Sequence, residues 1–393
     1  MKTKTVTKST KWVLPIIIFS QFGCTSLWFA GNSVIDDLIA SFNLSSDSLG
    51  YISSSVQFGF IIGTLIFAIL TLSDRFSPSK VFFICAVLGG VFNLGILYAN
   101  NTFSTLLLFR FLTGFCLAGI YPVGMKIAAD HFEKGLGKSL SFLVGALVLG
   151  KAFPHFLKSF GVGFNWEIVI WSTSFLAFLG GLLILVFVPN GPYQNLAKKF
   201  DVSKIFKVFN NKTFKSAAFG YFGHMWELYA FWTFVPIFIS AYSQLHNTPL
   251  NISLLSFIIL ASGTISCVLG GFISKTYGTK KTAVLSLTIS GLCCLLSPIF
   301  FLIDSNIIFI AFLIIWGMVV IADSPLFSTL VAQNSDSQSK GTALTIVNCI
   351  GFAITIVSIQ LLNFLITDNS NVQFVFLILA LGPIIGLIYL KKS

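Results

Sequence analysis

Asn190-Gly191-Pro192-Tyr193-Gln194-Asn195-Leu196-Ala197-Lys198-Lys199-Phe200-Asp201-Val202-Ser203-Lys204-Ile205-Phe206-Lys207-Val208-Phe209-Asn210-Asn211-Lys212-Thr213-Phe214 is the longest polar run in the chain of 393 residues, and it lies near the midpoint. Apolar stretches extend from it in both directions. A helix that crosses a membrane needs about 20 mostly apolar residues. Six such stretches precede the run, at 12–38, 50–73, 80–99, 103–126, 139–157 and 167–188. Six follow it, at 216–241, 252–274, 281–303, 306–331, 341–365 and 372–390. Composition agrees: 55% of residues are hydrophobic and 9% are charged, against about 25% charged in a soluble domain. Too little polar surface exists to cover soluble domains. The sequence therefore predicts an all-α polytopic membrane protein with twelve transmembrane helices in two pseudo-symmetric six-helix bundles. Residues 1–189 form the first bundle, 190–214 a cytoplasmic central loop, and 215–393 the second bundle.

The net charge of +11 invites a nucleic-acid partner, but its placement speaks against one. With the N-terminus inside, 21 of the 24 Lys and Arg residues fall on the cytoplasmic side, Lys158 falls outside, and Arg110 and Lys151 lie within spans. Lys and Arg concentrate in cytoplasmic loops of membrane proteins. The charge is thus an orientation signal and a contact for anionic lipid headgroups. Lys2, Lys4, Lys8 and Lys11 resemble the start of a signal peptide, but the apolar run after them is too long and no small-residue cleavage site closes it. It reads as the first span, in a bacterial inner membrane with both termini cytoplasmic. All seven cysteines, Cys24, Cys85, Cys116, Cys267, Cys293, Cys294 and Cys349, lie in apolar segments. They imply neither a disulfide framework nor a metal site. No cofactor is indicated.

The halves repeat. Phe22-Gly23 returns as Phe222-Gly223, offset by 200; Gly114, Gly119 and Pro122 return as Gly317, Ala322 and Pro325, offset by 203. Lys138 returns as Lys340, offset by 202, and Asp74-Arg75-Phe76-Ser77 as Lys275-Thr276-Tyr277-Gly278, offset by 201. Internal repeats mark secondary transporters, whose substrates bind at mid-membrane where the halves meet.

Residue by residue, the chain resembles the major facilitator superfamily. That family's loop after span two runs Gly-x-Leu-Ala-Asp-Arg-x-Gly-Arg-Lys. Leu72-Ser73-Asp74-Arg75 matches its middle and Lys80 follows, although Leu70 and Ser77 replace its glycines. The second-half copy, Gly271-Phe272-Ile273-Ser274-Lys275-Thr276-Tyr277-Gly278-Thr279-Lys280-Lys281, keeps both glycines and puts Lys275 in place of the acid. Arg110 with Thr113-Gly114 is similar to the family's Arg-x-x-Gln-Gly. The Gly-Pro and Gly-Gly pairs that drug/proton antiporters often carry in span five are missing from Gly145–His155. The resemblance implies alternating access and a central cavity lined by spans one, four, seven and ten. It gives Asp74, Arg75, Lys80 and Lys275 a gating role, with Asp74 near the start of span eleven at Gly341-Thr342.

An ionisable group within a span costs several kcal/mol unless paired or hydrated, so each is a functional candidate. His224 and Glu227 are three apart on one helix face, amid the aromatics of Tyr221–Trp232. They read as a proton-coupling pair, or as a pair that satisfies itself and fixes packing. Arg110 cannot discharge and needs an acid, carbonyls, water or an anion. It is a candidate anion ligand, a switch partner for Glu227, or part of an internal salt bridge. Lys151 and His155, four apart around Pro154, would add positive field to a cavity. Trp28, Trp226 and Tyr229 could wall a binding site. Asp323, before Pro325, is placed at the cytoplasmic gate, bonding Lys275 or a helix N-terminus.

The function expected is proton-coupled secondary transport of a small anionic or zwitterionic solute, with uptake favoured and a monomeric carrier. A proton-driven exporter of lipophilic compounds is the alternative. An integral-membrane enzyme or a sensor on a transporter frame lacks support, because no phosphate loop, zinc motif or nucleophile elbow appears.

Overall fold

The computed structural model describes residues 10–132, 136–160, 165–194, 207–335, 340–368 and 371–392. Lys2, Lys4, Lys8, Lys134 and residues 195–206 of the central loop, with Lys198, Lys199 and Lys204, lie outside the described residues. Everything regular among those described is helical, and eleven helices are long and apolar enough to cross a membrane. A twelfth apolar helix, Trp12–Thr25, is shorter. Spans two, three, five and six are Ser48–Ile69, Pro78–Leu94, Leu136–Lys158 and Glu167–Phe187. Spans seven, eight, nine and eleven are Lys212–Leu245, Ile252–Tyr277, Thr279–Leu302 and Lys340–Asp368. Span twelve runs from Val372 through a 3-10 turn at Phe376–Ala380 to Lys391.

Three spans are broken. The first was expected to be continuous over 12–38; instead it stops at Thr25 and resumes as two short helices, Ala30–Ser33 and Ile35–Phe42. Thr25 and Ser26 donate their hydroxyls to the carbonyls of Gln21 and Gly23, the local bonding by which such residues compete with the helix ladder. Span four breaks between Phe103–Leu117 and Tyr121–His131, and span ten between Asn306–Ala322 and Ser324–Gln333. Pro122 and Pro325 sit in the first turns of the second pieces, where a missing N–H costs nothing. The two breaks occupy repeat-related positions.

Packing repeats in the same register. In a bilayer, helices associate through close approach at small residues rather than by hydrophobic drive. A Cβ on Gly114 of span four would stand 2.1 Å from the carbonyl oxygen of Val56 in span two; one on Gly317 of span ten would stand 2.3 Å from that of Ile259 in span eight. Gly23 packs on the carbonyl of Leu176 in span six, and Gly223 on that of Gly382 in span twelve. The halves meet along two seams. Between spans five and eight, Thr264 donates to the Gly145 carbonyl at 3.2 Å, Asn251 to that of Ser159 at 3.3 Å, and the rings of Phe156 and Phe257 lie 5.0 Å apart. Between spans two and eleven, Gln360 donates to Ser54 at 2.8 Å and Asn363 to the Asp47 carbonyl at 2.8 Å.

Candidate functional site

The break in span one leaves the carbonyls of Leu27 and Trp28 without helical partners. Arg110 of span four supplies them, donating at 2.7 Å and 2.9 Å, and gives its other terminal nitrogen to Asn93 Oδ1 at 2.8 Å. Asn93 in turn donates to Ser174 at 2.9 Å and Thr173 at 3.2 Å in span six. The guanidinium is 1% exposed and meets no carboxylate among the described residues. Its partners are carbonyls and an amide, one of the alternatives open from sequence, and it is not joined to Glu227.

His224 and Glu227 do not pair with each other. Residues three apart on a helix differ by about 60° around its axis, enough to reach different neighbours. Glu227 turns toward spans nine and ten, where its carboxylate accepts from Trp316 Nε1 at 2.7 Å and Ser290 Oγ at 2.8 Å. His224 Nδ1 lies 2.8 Å from Asp323 Oδ1 at the break in span ten. Asp323 is fully buried, so it is neither at a wet gate nor bonded to Lys275, which is exposed at the end of span eight. Placing the acid at the helix break, where the chain leaves its regular path inside the bundle, hides it from solvent despite its distance from mid-span.

The junction of the halves is aromatic. Trp28 and Phe60 come from the first half, and Tyr229, Trp232 and Phe352 from the second. Ring centroids are 4.9 Å apart for Trp28 and Phe60, 4.6 Å for Phe60 and Phe352, 5.8 Å for Trp28 and Tyr229, and 5.6 Å for Tyr229 and Trp232. Lys151 of span five ends among them. Its Nζ stands 3.8 Å from the Trp28 ring centroid, 4.4 Å from that of Tyr229 and 5.4 Å from that of Trp232, and it donates to the Tyr229 hydroxyl. Lys151 is 1% exposed. Among the described residues no carboxylate pairs with it. His155 is also buried, one turn further along span five, and its Nε2 has no partner among the described residues.

Other candidates lie elsewhere. Trp226 is half-buried and donates to the Ile378 carbonyl at 3.1 Å, so it faces span twelve, not the junction. Asp74 bonds Lys126 at 2.8 Å instead of meeting the start of span eleven, and Lys126 also reaches Asp130 at 3.6 Å. Lys126, on the second piece of span four, offers a full charge, whereas a helix end offers a partial one worth only about 0.3–1 kcal/mol. Arg75 and Lys80 are exposed beside it. Sequence reasoning passed over Trp232, Phe60, Phe352, Asn93, Trp316 and Ser290. Trp232 was recoverable, because it follows Tyr229 by three and shares its face. The others are ordinary span residues whose importance comes from what crosses to meet them.

A profile of the Major Facilitator Superfamily matches residues 17–359. The fold is similar to the crystal structure of a bacterial homologue of the human lysosomal transporter Spinster, inward-facing and unoccupied. That match has a TM-score of 0.69 and 15% identity, covering 100% of this chain and 96% of that one. It is also similar to the proton:xylose symporter XylE bound to 6-bromo-6-deoxy-D-glucose, at a TM-score of 0.74 and 14% identity, covering 98% of this chain and 95% of that one. No curated protein matches the sequence. The chain belongs to the Major Facilitator Superfamily and is therefore a membrane transporter, not an enzyme.

Proposed function

We propose that this protein is a secondary transporter that takes up a small anionic solute together with protons by alternating access. The observation that carries the reading is Lys151: a basic side chain at the junction of the halves, sealed from water, with no acid beside it among the described residues. Burying an ion costs several kcal/mol. A desolvated ring face returns about 2 kcal/mol, so the aromatic hold offsets part of the cost and an anion would offset more. Lys151, His155, Trp28 and Tyr229 are the proposed substrate contacts. Arg110 acts indirectly, by fixing the broken backbone that presents Trp28.

In this reading residues 1–189 and 215–393 rock about that site, joined by 190–214. Glu227 and the His224–Asp323 contact, both on span seven, are the proposed proton-carrying groups. A solved neighbour described as a proton symporter lends support. Each proton crossing yields about 2.3 kcal/mol per 100 mV. The Asp74–Lys126 pair, with Arg75, Lys80 and Lys275, is proposed to govern closure at its end of the molecule. The distribution of lysines supports a cytoplasmic membrane with that end inside.

The test is uptake into proteoliposomes under an inward proton gradient. Radiolabelled carboxylates should accumulate with wild-type protein and not with Lys151→Gln. Proton-driven extrusion of lipophilic cations, unaffected by any anion, would instead make the protein an exporter and end this reading.

A further inference from the structure

The junction offers more than a positive charge. Lys151 Nζ, the indole N–H of Trp28 and the indole N–H of Trp232 are all donors that cannot accept. Both indole groups are buried and lack an acceptor among the described residues. A buried donor left unpaired costs about 1–3 kcal/mol. The unmet requirement is thus for an acceptor, and a carboxylate accepts through both oxygens.

A second negative charge would find no second lysine among the described residues of the junction, and only Arg110 Nε and His155 Nε2 as unpartnered basic nitrogens. The terminal nitrogens of Arg110 are committed to Asn93, Leu27 and Trp28. Glu227 and Asp323, buried in the second half, would oppose it. The remaining neighbours are aromatic rings packed on one another: the pairs Trp28–Phe60, Trp28–Tyr229, Trp28–Phe352, Phe60–Phe352 and Tyr229–Phe352 have centroids 4.6–5.8 Å apart, with Trp28 and Phe352 inclined by 31°. Offset packing of flat rings at about 4.5–7 Å is favourable beyond area burial. A polyol would leave its hydroxyls facing carbon, and a cation would meet Lys151.

We infer that the solute is a monoanion with a flat unsaturated body, of the aromatic monocarboxylate class. This rests on the anion reading above and narrows it. The carboxylate displaces the Tyr229 hydroxyl from Lys151 and takes up the indole N–H groups. The body takes over the ring contacts that Trp28, Phe60 and Phe352 now make with one another, entering as those rings part.

The test is equilibrium binding of radiolabelled benzoate to the purified full chain in detergent, with competition by unlabelled compounds. Benzoate should compete at least tenfold better than cyclohexanecarboxylate, which keeps the charge and loses flatness. It should also outcompete acetate, which lacks a body, and phthalate, which adds a charge, by the same margin. Lys151→Gln should abolish binding. Trp28→Phe, which keeps a ring and removes the N–H, should weaken it several-fold. If Lys151→Gln does not purify as a monodisperse protein, Lys151→Arg should retain binding with the same order of preference. Equal or better competition by phthalate or cyclohexanecarboxylate overturns the flat-monoanion inference and leaves the anion reading standing. Binding of xylose or tetraphenylphosphonium in preference to every carboxylate, or no carboxylate binding at all, overturns both.

Discussion

Lys151 of span five and Tyr229 of span seven, 78 residues apart in the chain, join the two halves through an ammonium that donates to a phenol hydroxyl and rests 4.4 Å from the same ring's centroid. In the binding mode proposed above, the hydroxyl competes with the solute's carboxylate for Lys151. Tyr229→Phe keeps the ring and removes the acceptor. A hydrogen bond to a charged group contributes about 1.5–3 kcal/mol, so the ligand-free variant should melt at a lower temperature. Its affinity for benzoate should rise several-fold, because a competitor has gone. Melting curves with and without benzoate measure both. Loss of affinity together with loss of stability would make the hydroxyl a ligand of the solute.

Arg110→Ala should act on folding. It strips partners from the carbonyls of Leu27 and Trp28 and from Asn93 Oδ1. Each buried acceptor left unsatisfied costs about 1–3 kcal/mol. The expected result is a poor yield of monodisperse protein and a sharply lowered melting temperature. Arg110→Lys should recover only part of this, since an ammonium cannot span three acceptors with a planar fork. A stable Arg110→Ala that has lost only solute affinity would return this residue to the binding site.

Glu227→Gln keeps one acceptor oxygen for Trp316 Nε1 and turns an amide N–H toward the Ser290 hydroxyl, which then accepts, while removing the ionisable proton. The variant should fold with a melting temperature close to wild type. In proteoliposomes, uphill uptake driven by a pH gradient should disappear, while exchange of labelled for unlabelled solute continues. Equal loss of exchange and of gradient-driven uptake would place Glu227 in binding or gating.

Gly114→Ala and Gly317→Ala should destabilise alike, because each new Cβ would press on the carbonyl of a neighbouring span at 2.1–2.3 Å. Overpacking of this kind costs about 1–3 kcal/mol. Gly137→Ala is the control: a Cβ there meets nothing within 4 Å, and alanine is the better helix former by up to about 1 kcal/mol. Thermal melts of the three variants should show two matched losses and one neutral or positive shift.

The span count and the repeat, with its matching Pro122 and Pro325, were legible because they are local or periodic properties; the breaks beside those prolines were not read, because the apolar stretches 103–126 and 306–331 run through them without interruption. Apolar length decides a span, and a proline decides where a helix restarts. The break in span one was not read, although Thr25, Ser26 and Gly31 lie there. Those residues are tolerated inside a membrane helix, and only Arg110 arriving from span four supplies the acceptors' partners. The ionisable residues themselves were equally legible, since the cost of burying a charge marks each one wherever it stands.

What the sequence by itself determined is a membrane protein of two related halves, carrying a short list of buried ionisable groups. Partner choice belongs to the tertiary structure. His224 and Glu227 are neighbours in the chain, yet one meets Asp323 at 99 residues' separation and the other Trp316 at 89. Lys151 finds rings from both halves rather than an acid. The physical reason is that a side chain in a helix can turn toward any of several adjoining spans. Which of them it meets is fixed by where small residues let the backbones approach, a relation between distant segments that local composition does not encode.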